Sequence, residues 1–221
     1  MIEKNYIAEL EKGICSDAKA KIINAAVEEF ALLPFSAART RQIAEKAGVN
    51  HAAISYYFGG KRELYLEIVR QLADYIHMYM AEHLVRGSEI EKSKSAADAK
   101  KLIVDFVMSR VCVDSKTDPL LRRIIMILTR EEMYPTEAFD FIYEKVIYPS
   151  ITLLEKLVLI CKPACSSEDA KILAQMLIGQ IMLFNSARVG FKRISGWDSF
   201  GEEQYAKIES VFVRSLWKIL S

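Results

Sequence analysis

Histidine and cysteine are scarce in this sequence, at three and four residues of 221, and each shortage closes off a chemistry. His77 and His83 stand six apart on a predicted helix, on nearly opposite faces at about 100° per residue, so they do not form a metal pair. Cys15, Cys112, Cys161 and Cys165 are irregularly spaced and read as reduced thiols, not as a disulfide framework. Pro163 interrupts the one close pair, Cys161 and Cys165. Long apolar runs are lacking too: no stretch of about eighteen uncharged apolar residues occurs, which argues against a membrane span. The first thirteen residues scatter Glu3, Lys4, Glu9, Glu11 and Lys12 among apolar ones, without the continuous core of a secretion signal, and the expected location is the cytoplasm. There is no Gly-rich phosphate loop, no His-Glu-x-x-His spacing, and no nucleophile with an obvious base. An enzyme is therefore not expected, and no cofactor or metal is assigned.

What is present is apolar sequence at helical spacing. With 52% hydrophobic residues the chain can bury a sizeable core, and from Ala99 onward strand signals are missing. The predicted helices are 17–33, 61–84, 99–113, 119–132, 136–161, 168–191 and 202–220, punctuated by Pro34, Pro119, Pro135, Pro163 and Gly196. Pro149 predicts a kink inside the helix that contains it. Residues 86–98, RGSEIEKSKSAAD, read as a solvated loop, and residues 1–16 as a loose arm or a short extra helix. The last two helices are apolar over wide faces that want more than one neighbour.

The stretch from Arg39 to Arg62 reads as a helix-turn-helix. Ile43, Ala44 and Ala47 share a face, Gly48 tolerates a positive φ, and Val49 plugs the corner. Asn50 then caps a second short helix that buries Ile54 and Phe58. Its free face carries His51, Ala52, Ala53, Ser55, Tyr56 and Tyr57. Small residues there let a backbone approach a groove, and the others reach base edges and phosphates. Residues 36–62 hold five cations, Arg39, Arg41, Lys46, Lys61 and Arg62, against one carboxylate, Glu45, while the whole chain is only +1. Lys61 opens the next helix, where free amides and the helix dipole also favour a phosphate.

The run IAEKAGVNHAAISYYFGGKRELY resembles the DNA-binding signature of TetR-type transcriptional repressors, through Ile43-Ala44, Ala47-Gly48-Val49, Ile54, Phe58, Lys61 and Leu64. The chain departs from that pattern in carrying Ser55 where most members have Tyr. It also has Ala38 and Arg39 in place of a Thr or Ser pair, which shifts phosphate anchoring toward Arg39, Thr40 or Arg41. The resemblance implies an all-α fold. Residues 1–60 form an arm and a three-helix DNA-binding domain, and residues 61–221 a helical effector-binding and dimerisation domain. It further implies a homodimer formed through helices 168–191 and 202–220, a palindromic double-stranded operator and a small-molecule effector that releases it. For the effector the sequence suggests polar ends on apolar stripes: Phe106 and Arg110 on one helix, Phe184, Asn185 and Arg188 on another, with Arg130 and Glu131 as further polar groups. Three arginines suit an aromatic or amphipathic, acidic molecule. The competing readings are a constitutive helical DNA binder without ligand and an all-helical enzyme or redox protein.

Overall fold

In a computed structural model of the chain, the described residues are Ile7, 17–111 and 119–220, and among them every regular element is helical. Packing gathers the chain into two compact units, residues 1–79 with 118–147, and residues 80–117 with 148–221. The sequence division at residue 60 follows the chain, whereas packing adds residues 61–79 and 118–147 to the N-terminal helices. The expected arm at 1–16 and the thiols Cys15 and Cys112 lie outside the described residues, apart from the buried Ile7.

The first unit is built on helix α1, Ala18–Leu32. Asp17 caps it by accepting from the Ala20 amide at 2.8 Å, and Ile22, Ala26 and Phe30 supply its buried stripe. Pro34 ends it, because the residue before a proline is pushed into extended backbone, as Leu33 is at φ −118° and ψ 145°. Helix α2, Thr40–Ala47, turns into α3, Ala52–Phe58, over Gly48 at φ 65°. The Gly48 amide bonds the Glu45 carbonyl and the Val49 amide the Ala44 carbonyl, both at 3.1 Å, a paired closure of the helix end that needs a left-handed residue. Helix α4, Lys61–Ser93, follows. Helix α6, Pro119–Met133, packs against α1 with Ile124 and Ile127 fully buried.

Helix α4 runs nine residues beyond the predicted end at Leu84, so the expected loop at 86–98 is corrected: only Lys94 and Ser95 separate α4 from α5, Ala96–Val111. Packing overrides the polar composition. Gly87 is buried so closely that a Cβ there would stand 2.2 Å from Leu153 Cδ1, and Ile90 is buried as well. Arg86 pairs with Asp105 at 2.7 Å and Lys156 with Glu91 at 2.9 Å, and Lys94 at φ 54° ends the helix.

The predicted helix 136–161 is a short α7, Phe139–Ile142, a π turn over Tyr143–Ile147, and α8, Tyr148–Cys161. The expected distortion thus falls just before Pro149. That proline has no N–H for the Lys145 carbonyl four residues back, and His77 Nδ1 donates to it at 2.8 Å.

The second unit packs α5, α8 and α9, Ser167–Ser186, around Leu102, Phe106, Leu154 and Leu157. Helix α9 does not continue to residue 191. It stops at Ala187, and α10, Arg188–Ser195, leaves it at 80°. Helix α11, Glu202–Ile219, closes the fold, with the Gly201 amide bonded to Gln204 Oε1 at 3.0 Å. Among the described residues no single helix is long and apolar enough to cross a membrane, and α9 with α10 reaches that length only across the bend.

Candidate nucleic-acid interface

Helix α3 is held by one buried residue and presents most of the others. Ile54 is 1% exposed and Phe58 packs half-buried on the core, while His51, Ala52, Ser55, Tyr56 and Tyr57 face outward, Tyr56 at 82% exposure. Ala53 is half-buried, with its methyl packed against the core. Asn50 Oδ1 accepts from the Ala52 amide at 2.9 Å, the expected capping role. Tyr56 and Tyr57 meet edge to face at 4.9 Å between ring centres, a contact that restrains both rings.

Around this face stand the side chains expected at phosphates. Thr40 Oγ1 lies 2.9 Å from His51 Nε2, tying the start of α2 to the start of the recognition segment. Arg39 is exposed, and Arg41 is exposed but shares an ion pair with Glu45 at 3.4 Å. Lys61 Nζ sits 4.7 Å from the Phe35 ring centre and 3.5 Å from the Ser36 carbonyl oxygen, and partial burial holds its ammonium below the usual lysine value. Two of the five cations counted in the sequence are spoken for from outside the segment. Lys46 pairs with the buried Glu29 at 2.6 Å, and Arg62 with Glu137. The positive footprint therefore narrows to Arg39, Arg41 and Lys61. Lys19 on α1 reaches within 5.9 Å of the Tyr57 ring centre, a neighbour that sequence reasoning missed because nothing local links residues 19 and 57.

The residues suggested for an effector divide between the units. Arg130 and Glu131 belong to the first, and Phe106, Arg110, Phe184, Asn185 and Arg188 to the second. The Arg130 guanidinium donates to the carbonyls of Phe30, Ala31 and Leu33, the last two at 3.0 and 2.9 Å, and so caps the negative end of α1. Buried Glu131 accepts from Tyr65 Oη at 2.5 Å and from the Thr136 amide and hydroxyl at 3.0 Å. Burial, and then this bond, push the Tyr65 phenol up. Tyr65 in turn meets Phe30 at 4.9 Å and Phe35 at 5.1 Å. A continuous set of contacts thus joins α6 to the ring over which Lys61 lies.

Phe106, Arg110, Phe184, Asn185 and Arg188 are in the second unit, where the arginines use backbone carbonyls and not Glu131 as partners. Arg110 stacks on the Phe106 ring at 3.6 Å and bonds the Phe106 carbonyl at 2.7 Å, and burial lowers its pKa to about 10. Asn185 Nδ2 donates to the Arg110 carbonyl at 3.2 Å, and Arg188 to the carbonyls of Phe184 and Val111 at 3.0 and 3.2 Å. Because α9 ends first, Arg188 does not extend its stripe. It opens α10 and knits the bend.

The comparisons with known proteins agree with this geometry. Residues 22–68 match the model of the bacterial regulatory proteins of the tetR family, and residues 99–220 that of the C-terminal domain of the HTH-type transcriptional dual regulator CecR. The chain is 29% identical over 191 residues to the HTH-type transcriptional dual regulator CecR of Shigella flexneri, covering 85% of this chain and 84% of that protein. It is 41% identical over 59 residues to the HTH-type transcriptional regulator RutR of Escherichia coli strain K12, a match to 27% of this chain and 28% of that one. Among solved structures it resembles the transcriptional regulator FadR of Bacillus subtilis in complex with stearoyl-CoA, with a TM-score of 0.57 and 18% identity over 89% of this chain and 96% of that one. A TetR-family regulator of Mesorhizobium loti is similar at a TM-score of 0.56 and 15% identity, over 92% and 95%. An exposed recognition helix on a buried Ile54, and a match to the CecR C-terminal domain over more than half of the chain, lead to one conclusion: this chain belongs to the TetR family of transcriptional regulators.

Proposed function

We propose that the protein is a homodimeric repressor that binds a near-palindromic operator and leaves it when a small molecule binds the second unit. The observation that carries the reading is the outward face of α3, where His51, Ser55, Tyr56 and Tyr57 are exposed on a helix anchored by Ile54. His51, Ala52, Ser55, Tyr56 and Tyr57 read bases, Ala53 lets the backbone close on the groove, and Arg39, Thr40, Arg41, Asn50 and Lys61 hold phosphates. The 1–60 and 61–221 division describes this split of roles along the chain.

The dimer forms through α9 and α11. On α9, Ile172, Met176 and Leu183 are 54, 55 and 55% exposed, and on α11 Trp217 is 50% exposed, more apolar surface than one protomer has reason to leave wet. A seven-residue recognition helix binds weakly alone, and two of them joined by a dimer reach successive grooves. The effector reading draws on the CecR-type C-terminal domain, and the stearoyl-CoA bound by the FadR relative in fold is an amphipathic example. The ligand must favour a conformation in which the two recognition helices fall out of register, because one indifferent to both states shifts nothing. The test is selection of bound DNA from a random pool, then a screen for compounds that release the enriched fragment. Binding with no sequence preference would defeat the regulator reading, and a screen without any releasing compound would favour the constitutive binder.

A further inference from the structure

We propose that the groove between α9 and α11 is the effector cavity and takes an apolar or aromatic molecule bearing a single acidic group, received by Lys207. The inference rests on the effector reading above and gives it a place and a chemistry. The space measures about 420 Å³, within the range of small-molecule sites. Its floor is Val158, Leu177, Ile208 and Leu216, all buried. At the C-terminal end of α9 the 80° bend folds Phe191 back beside Phe184, with ring centres 5.5 Å apart, and Trp197 stands 5.3 Å from Phe191. Phe200 stands 5.8 Å from Trp197, edge to face, so this wall is supported by the chain's own rings.

Polar groups in this lining are Gln180, Ser215 and Lys207. Lys207 is exposed at the rim and has no ion pair among the described residues, so an acid arriving there meets an uncommitted ammonium. Arg110 and Arg188, expected at the effector, are absent from this lining and already bonded to carbonyls; of the residues suggested by the sequence only Phe184 belongs to it.

Charge and the aromatic wall point to a ligand over a second copy as occupant: Lys207 brings an ammonium with no ion pair among the described residues, and Phe184, Phe191 and Trp197 close the α9 end with rings supplied by this protomer itself. Met176, Val211 and Ile219 line the cavity and remain 55, 45 and 41% exposed, so its outer edge is also part of the face proposed for dimerisation. Ligand binding and assembly therefore share side chains, and each alters the free energy of the other.

The experiment uses the full chain carrying Trp217→Phe, which leaves Trp197 as the only tryptophan, and titrates decanoate and 1-decanol below their aggregation limits. Both should change Trp197 emission saturably. Lys207→Met should weaken decanoate about threefold to fivefold, as loss of an exposed charge partner does, and leave decanol unchanged. Ser215→Phe should fill the groove from α11 and abolish both responses with helicity intact by circular dichroism, and Gln180→Phe should do the same from the α9 wall if that variant misfolds. No saturable change, equal effects of Lys207→Met on acid and alcohol, or normal binding in the filled variants would each overturn the proposal. Loss of dimer in the filled variants, with no ligand response in the parent, would mean the second copy occupies the groove. Operator binding followed on the same samples separates the two readings. Bound operator with no decanoate response removes the cavity alone, and saturable decanoate binding that leaves the operator bound removes the effector role while the cavity stands.

Discussion

Gly48 stands in open space, with nothing within 4 Å of where a Cβ would be, so its identity is dictated by its φ of 65° alone. Gly48→Ala should therefore lower stability by about 1–2 kcal/mol through backbone strain, without a clash, measured by urea unfolding. Lys61 acts differently, since its ammonium lies beside the Ser36 carbonyl at the start of α4. Lys61→Ala should weaken every DNA sequence alike and lower the salt slope of binding by about one contact, whereas His51→Ala should change which sequences bind. An unchanged slope, or a change of preferred sequence in Lys61→Ala, would contradict the phosphate role. His83 illustrates a third kind of residue. Its Nδ1 is buried without a hydrogen bond, its ring meets Phe106 edge on at 5.5 Å, and Arg110 and Arg86 are the cations that face it, with Glu82 and Asp105 nearby. Burial first, then those two arginines, hold its pKa below the usual histidine value. The neutral ring is thus the folded form, and its contribution is present above the unfolded histidine pKa and lost as pH falls toward the folded one. Urea midpoints should drop between pH 7 and 5 and drop less in His83→Gln.

At the scale of elements, α6 works as a brace in the first unit. Three points hold it: Arg123 to Glu28 at 2.7 Å, Arg130 to the last carbonyls of α1, and Glu131 to Tyr65 on α4. Arg130→Ala strips a charged donor from half-buried carbonyls and should cost about 1.5–3 kcal/mol, with operator affinity falling because α1 and Phe35 position the start of α4. Equal stability and affinity in that variant would show that the brace is idle. None of this was legible in the sequence, because Arg130 finds its partners some 100 residues away and Glu131 finds Tyr65 66 residues away. Local punctuation was legible. Pro34, Gly48, Asn50 and Pro163 act within a few residues of themselves, and the elements they bound appear where the spacing predicts. Where tertiary contacts decide, the local reading failed: Gly87, which Leu153 approaches closely, and the buried Ile90 carry α4 through a polar run, and α9 breaks at Ala187 where Arg188 turns to the Val111 carbonyl. The exposed face of α3 was legible because a short helix with one buried residue leaves few alternatives. The charge count was not, since Glu29 and Glu137 neutralise Lys46 and Arg62 from outside the motif.

At the scale of the whole molecule the proposed dimer can be tested. Ile172 and Leu183 are more than half exposed in one protomer, so a charge at either is hydrated in the monomer and buried only in a dimer. Ile172→Glu with Leu183→Glu should leave the fold intact and shift sedimentation to the monomer, with operator affinity falling in step. Ile181 and Phe212, two further apolar positions on α9 and α11, are half-buried within the protomer and would confuse folding with assembly.

The central claim is that α3 reads a symmetric site on DNA. Selection from a random DNA pool tests it directly when run on the native protein and on a variant carrying His51→Ala and Tyr56→Ala. The native pool should converge on a near-palindrome whose half-sites lie about 34–36 Å apart or a multiple of it, and the variant pool should not. A native pool without enrichment, or the same palindrome from the variant, would contradict it.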